Sequence, residues 1–311
     1  MTLLLLGCQQ EFSGEAGNLS YISGANVEFR NELGPSSRVV GRLQSGERVY
    51  VILRRPRWAQ VRVLSGETGW VLQRYLVSQD VYDRFAELAR EAEVLPSQGS
   101  AKIRRDANLH LEPQRNSQAF YQLAEGEQAD VVGHRATTRN AASSVSAEDA
   151  DPASSPAVPD TRNFEDWLLV RGSRGRTGWL LESSADMHLP IEIAQYREGL
   201  RIRAWFEIYR ELDVVDEKDV VHPWYLWATS RRAGAAHDFD EIRVFVWNPA
   251  AARYETSYRE RNLTGYYPIV VQSRQTADGE VPAFRLQLQD ATGQRSQKSY
   301  FMAGRQVRIE K

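Results

Sequence analysis

Residues 58–71 read WAQVRVLSGETGWV, and residues 167–180 read WLLVRGSRGRTGWL. Trp58 aligns with Trp167, Val61 with Val170, Gly66 with Gly175, and Thr68-Gly69-Trp70 with Thr177-Gly178-Trp179, at a single offset of 109 without a gap. Upstream, GRLQSGERVYV (41–51) faces YQLAEGEQADV (121–131) at an offset of 80, and NVEF (26–29) faces NLHL (108–111). The two main offsets differ by 29 residues, a net insertion in the second copy. Spacing shared over separate blocks indicates an internal repeat. In the first copy Val49, Val51 and Leu53 alternate with Tyr50 and Ile52, Trp58 to Val63 forms another run, and Gly66 to Gly69 turns the chain into Trp70-Val71-Leu72. Period-two alternation broken by glycine turns predicts a small all-β barrel in each copy.

These residues resemble the bacterial Src-homology-3 (SH3-like, SH3b) domain. The first copy carries its marks as Asn26-Val27, Leu43 to Glu47 and Trp58 to Val71, the second as Asn108-Leu109, Leu123 to Glu127 and Trp167 to Leu180. The resemblance implies two tandem SH3-like barrels, at 21–78 and 100–187. It also implies a peptide groove, one wall of which falls at residues 54–57 of the first copy, a basic run the second copy lacks, and, as in some members, recognition of cell-wall peptide.

Between the copies, residues 79–96 have helical spacing, with Tyr82, Phe85, Ala89 and Ala92 on one face. Ser78 is placed to cap this linker helix and Pro96 to end it. Its polar face is more acidic than basic, unlike that of a membrane-binding helix. Residues 133–165, GHRATTRNAASSVSAEDADPASSPAVPDTRNFE, interrupt the second copy with Ala, Ser, Pro and acidic residues. Such a composition buries too little apolar surface to offset an ordering cost of about 1–2 kcal/mol per residue. The expectation is a disordered insert over 133–165.

Residues 190–311 differ in texture. PIEIAQYREG reads as a short helix, started by Pro190 and stopped by Gly199. About eight alternating runs follow, among them LRIRAWFEIY, PWYLWAT, EIRVFVW, RYETSYRE and LTGYYPIVVQ. Crossover helices have no room between them, so the sheet must be antiparallel, a β-meander or barrel. The fold class is therefore all-β: two SH3-like barrels joined by a short helix, then an antiparallel β domain.

The first residues, MTLLLLGCQQ, hold the only cysteine of the 311-residue chain. Leu5-Leu6-Gly7-Cys8 resembles a bacterial lipobox, which implies lipidation of Cys8, a lipobox-like segment and polar tether over 1–20 and a membrane-anchored lipoprotein of the bacterial cell envelope. The apolar run is only Leu3 to Leu6 and no basic residue precedes it, short of the roughly 7–15 apolar residues of a secretory signal. The alternative is a cytoplasmic protein with a stray cysteine. One thiol cannot form an internal disulfide.

A net charge of −2 gives no general attraction to nucleic acid or to an anionic membrane. Arginine outnumbers lysine 35 to 4, yet the charges balance locally. Residues 1–95 hold 11 basic and 11 acidic side chains, and residues 190–311 hold 18 and 17. The five histidines, at 110, 134, 188, 222 and 237, have no paired metal spacing, and His134 falls in the expected disordered insert. GSRGRTG (172–178) occupies the register of the first copy's SGETG hairpin and reads as a turn, not a phosphate cradle. Asp213, Asp216, Glu217 and Asp219 lack calcium-loop spacing. No nucleophile-elbow motif is present. No enzyme, cofactor or metal site is expected.

The aromatic residues remain. Trp70 and Trp179 are expected to fill the barrel cores. Trp58 follows Arg54-Arg55-Pro56-Arg57, where the resemblance places one wall of a peptide groove. Arginines beside a tryptophan suit anionic or proline-bearing peptides, so Arg54, Arg55, Arg57 and Trp58 are the candidate site, faced by the loop of residues 30–42. Tandem repeats would offset weak binding by raising effective concentration. The leading function is a non-catalytic binding module for cell-wall peptide or an envelope protein. The alternative is a carrier of a small apolar ligand in the C-terminal domain, with the repeats as spacers. A third reading is a regulatory subunit that recruits a hydrolase.

Overall fold

The computed structural model describes residues 19–139, 164–215, 218–277 and 279–310. Cys8 and the tether through residue 18 lie outside the described residues, and Leu19 and Ser20 already belong to the first strand. The chain divides into two compact units, one running through Ala86 with residues 119–122, the other holding Glu87–Gln118 and Leu123 onward.

The first sheet contains β1 (Leu19–Ile22), β2 (Val27–Arg30), β3 (Val39–Leu43), β4 (Arg48–Arg54), β5 (Trp58–Val63), β6 (Thr68–Leu72) and β7 (Leu76–Ser78). Its order is β3-β2-β6-β5-β4-β1-β7. One face packs Ile22, Val27, Phe29, Leu43, Val49, Val51, Ala59, Val61 and Val71 into a core. Gly69 is required there: a Cβ would stand 2.6 Å from the Phe29 ring and 2.7 Å from the Arg30 carbonyl oxygen. The Thr-Gly-Trp motif therefore marks where β2 crosses closely over β6.

Helix α1 (Gln79–Glu93) follows. The second sheet contains β8 (Ser100–Ile103), β9 (Ala107–His110), β10 (Ala119–Leu123), β11 (Gln128–Thr138), β12 (Phe164–Gly172), β13 (Thr177–Leu181) and β14 (Ala185–Met187). Its order, β10-β9-β13-β12-β11-β8-β14, matches the first position for position. Gly178 repeats the close approach of Gly69, with a Cβ 2.8 Å from Leu109 Cβ. Phe29 thus corresponds to Leu109 and Val27 to Ala107, so the facing of NVEF with NLHL was two residues out of register. One offset of 80 serves β2 to β4, because the buried alternation and the glycine contact both demand it.

The insert also departs from expectation at both ends. Residues 133–138 continue β11, and Phe164 and Glu165 begin β12; the two pair from Thr138↔Phe164 inward. Composition averaged over the whole stretch hid these ends, whose order comes from cross-strand pairing and from His134. The stretch 140–163 lies outside the described residues.

Past α2 (Ile191–Ala194), the third sheet is an antiparallel meander of β15 (Arg201–Val215), β16 (Lys218–Ser230), β17 (Phe239–Asn248), β18 (Arg253–Thr276), β19 (Gly279–Gln289), β20 (Arg295–Ala303) and β21 (Gln306–Ile309). Seven strands form instead of eight, since RYETSYRE and LTGYYPIVVQ are one 24-residue strand, β18. Asn262 bends it at φ 58 without reversing it, a conformation that asparagine tolerates better than most residues. One face packs Trp224, Leu226, Phe239, Val244, Ile269, Phe284, Leu286 and Tyr300. The other packs Ile193 of α2 with Tyr225, Trp227, Phe245 and Tyr254.

Candidate functional site

The candidate groove is built on the outward face of the β5–β6 hairpin. Alternation turns Ala59, Val61 and Val71 into the core, and so turns Trp58, Gln60, Trp70 and Leu72 the other way, half-buried. Arg55-Pro56-Arg57-Trp58 is a tight turn: Arg55 N–H donates to the Trp58 carbonyl at 2.8 Å, and Trp58 N–H to the Arg55 carbonyl at 3.3 Å. Proline at the second turn position presets its φ. The turn holds Trp58 between two shallow clefts of about 610 and 260 Å³. Arg57 and Pro56 wall the larger on one side, with Pro35, Glu28, Arg30 and Arg74 around it. The smaller adds Arg42 and Tyr75. Arg30, Arg42, Arg57 and Arg74 against Glu28 make this lining cationic.

The equivalent face of the second sheet is closed. Trp167 is 1% exposed and Trp179 9%; with Leu169 and Val132 they pack against Ala92 of α1, flanked by Leu88, Leu95 and Leu181. His110 meets the Trp167 ring edge-on at 5.4 Å.

A second cluster joins the second and third sheets within one unit. His134 on β11, its side chain 1% exposed, sits between two carboxylates: Nδ1 is 2.8 Å from Asp238 Oδ1 and Nε2 is 3.0 Å from Asp166 Oδ1. Arg203 on β15 donates to Asp166 at 3.2 Å and to Glu182 at 2.8 Å. Gly234 N–H and Arg201 also reach Asp166, and Tyr267 N–H donates to Asp238 at 2.7 Å. Burial opposes a charged imidazole at His134, but the bonds to Asp166 and Asp238 outweigh it and raise its pKa. Burial likewise opposes ionisation of Asp166, yet the His134 bond and the Arg203 charge hold its carboxyl well below the usual range. Both ring nitrogens are engaged by carboxylates and shielded from solvent. In the adjoining cleft of about 440 Å³, the charges pair among themselves: Arg115 with Glu165 at 2.7 Å, Arg201 with Glu182 at 2.8 Å, and Arg104 with Asp186 at 3.3 Å. Among the described residues no group of three or more His, Cys, Asp or Glu side chains could hold a metal ion.

The groove and its Gly-Trp hairpin fall in a recognised segment. Residues 25–77 match the bacterial SH3 domain family. No curated protein matches the chain. Among solved structures, the chain is similar to NlpC2 and NlpC1 from Trichomonas vaginalis at 12% and 11% identity. These similarities cover 79% and 84% of this chain and 97% and 98% of those chains, at TM-scores of 0.18 and 0.19. Similarity that slight carries no argument about fold or activity.

Of the candidate residues in this SH3 domain, Arg57 and Trp58 line the groove. Arg54 closes β4 against Ala59 and Arg55 opens the turn; both are exposed and neither lines the clefts beside Trp58. Pro35 brings the facing loop to the groove. Trp70 and Trp179 are not barrel-core residues, because each stands outward beside an inward glycine. The cluster of His134, Asp166, Asp238 and Arg203 was missed. Its members are 32 to 104 positions apart, and the one local signal was an inward-facing arginine in the alternation of LRIRAWFEIY.

Proposed function

We propose that the chain is a non-catalytic binding protein of the bacterial cell envelope that engages a cell-wall peptide or a protein partner through the face around Trp58. The observation that carries this reading is the half-buried Trp58 indole set in an arginine-lined groove, an arrangement suited to a peptide with apolar and anionic groups. The bacterial SH3 match over the same residues supports it. The second sheet, with the same strand order, is in this reading a second copy of the domain whose groove is closed over Trp167. It therefore adds no second site, and binding is monovalent. The shielded, doubly bonded His134 supports a non-catalytic role. Export and anchoring rest on the sequence around Cys8: lipid carried there would hold the protein at the membrane, and stable anchoring takes more than one acyl chain.

The test is sedimentation with isolated peptidoglycan sacculi and with soluble stem-peptide fragments, comparing wild type, Trp58→Ala and Arg57→Ala. Wild type should bind and Trp58→Ala should not. Equal binding by both contradicts the proposal. Membrane partitioning of wild type against Cys8→Ser tests the anchor independently.

A further inference from the structure

The second sheet displays an occupant on the face that the first leaves open. Strands β4 and β11 carry the same irregularity, between Val51 and Leu53 and between Val131 and Gly133. The residues standing there, Ile52 and Val132, are 45% and 3% exposed. What covers Val132, Trp167, Leu169 and Trp179 is the C-terminal half of α1, through Leu88 and Ala92, together with Leu95 just past its end. Arg171 fastens that end: its Nη1 donates to the carbonyls of Ala92 and Glu93 at 3.1 Å each and of Leu95 at 3.4 Å. A helix C-terminus concentrates partial negative charge on such carbonyls, so an arginine is its natural complement.

Every element of this seat except Leu169 recurs on the first sheet at the equivalent register. Trp58 stands for Trp167, Trp70 for Trp179, Leu72 for Leu181 and Ile52 for Val132. Arg62, opposite Thr68, stands for Arg171, opposite Thr177. The substitution that breaks the pattern is Gln60 for Leu169, which suits a face that meets water between encounters. The charges agree as well. Arg54, Arg55 and Arg57 border the open face, whereas α1 exposes Glu87, Glu91 and Glu93 around its apolar edge.

We propose that the outward face of β4, β5 and β6 docks an acidic amphipathic α-helix of a protein partner by the helix's C-terminal end, with Arg62 capping its last carbonyls and Trp58, Trp70 and Ile52 receiving aliphatic residues spaced like Leu88 and Ala92. This rests on the Trp58 face being the binding surface and names the partner's form: a helix end, not an extended peptide.

The experiment titrates the full chain into a fluorescein-labelled peptide of residues 79–96, read by anisotropy, beside a scrambled peptide of the same composition and a Leu88→Asp, Ala92→Glu peptide. Saturable binding of the native peptide is expected. Trp58→Ala and Arg62→Glu in the protein, and the double change in the peptide, should each weaken it at least tenfold. Ile52 is exposed, so Ile52→Glu tests the seat without disturbing the core and should weaken binding to the same degree. Equal binding of the scrambled peptide overturns the inference. So does undiminished binding to Trp58→Ala, which would mean the peptide displaces α1 from the second sheet. Stem-peptide fragments titrated against the same variants separate the two readings. If they bind through Trp58 and the helix does not, the helix inference falls alone; if nothing binds there, both fall.

Discussion

His134 on β11 and Asp238 before β17 meet at 2.8 Å, tying the second sheet to the third through a buried charge. With Asp166 and Arg203 this contact makes stability depend on pH in a defined way. The folded-state pKa of His134 is raised, so its contribution is complete below about 6.5, the ordinary histidine value, and is lost as pH rises through the folded value. That of Asp166 is lowered, so its contribution is complete above about 3.9 and is lost as pH falls through the folded value. Urea unfolding from pH 3 to 9 should therefore show greatest stability between roughly pH 4 and 6.5. His134→Gln should flatten the alkaline limb. An unchanged limb in that variant would show that His134 does not carry the dependence.

Removing Asp166 takes one carboxylate from both His134 and Arg203. Asp166→Ala leaves His134 and Arg203 buried without a shared carboxylate and should cost about 3–5 kcal/mol, as broken buried pairs do. Equilibrium unfolding measures the loss.

Gln98, fully buried, uses its side-chain amide as a strand segment: Ile269 N–H donates to its Oε1 at 2.9 Å and its Nε2 donates to the Ile269 carbonyl at 3.3 Å. This repairs β18 where its pairing with β19 shifts register between Tyr266 and Val270. Gln98→Leu leaves two buried backbone groups unpaired and should cost about 1–3 kcal/mol for each group stranded. Loss of exchange protection at the Ile269 amide is the specific readout.

Gly69→Ala would drive a Cβ to 2.6 Å from the Phe29 ring and 2.7 Å from a backbone oxygen. Neither neighbour is a flexible side-chain end, so about 1–3 kcal/mol of overpacking is expected, seen as a lower Tm. Gly66→Ala, where a Cβ meets open space, carries only the strain of its φ of +94°.

Much of the fold was legible because its signals are local. The Trp-to-Gly-Trp hairpin, the alternating runs and the linker helix, expected over 79–96 and formed over 79–93, were read from residues adjacent in the chain. The bend at Asn262 was not, since β18 continues without a turn. The groove was legible in part: Arg57 and Trp58 could be placed from their neighbours, but Arg30 and Pro35 reach it from another strand and loop. Alternation alone turns Trp58 and Trp70 away from Ala59 and Val71, against the core position their size suggests. That Trp167 is covered depends on where α1 packs, and the His134 cluster on the pairing of two sheets. Neither leaves a mark at fixed spacing.

Trp58 and Trp167 should respond oppositely to truncation. Trp167→Ala empties a buried site and should cost about 3–5 kcal/mol. Trp58→Ala removes a half-exposed ring, should lower stability far less, and should remove binding. Paired unfolding curves show the contrast.

The claim that the Trp58 face is the binding surface is tested most directly by the indole N–H resonances of the full-length, ¹⁵N-labelled protein. Stem-peptide fragments and the peptide of residues 79–96 are added in separate titrations. The account predicts a saturable shift of the Trp58 resonance, with Trp70 following and Trp167 unmoved, for at least one of these ligands. A ligand that binds while the Trp58 indole stays still, or the failure of every ligand to move it, would contradict the account.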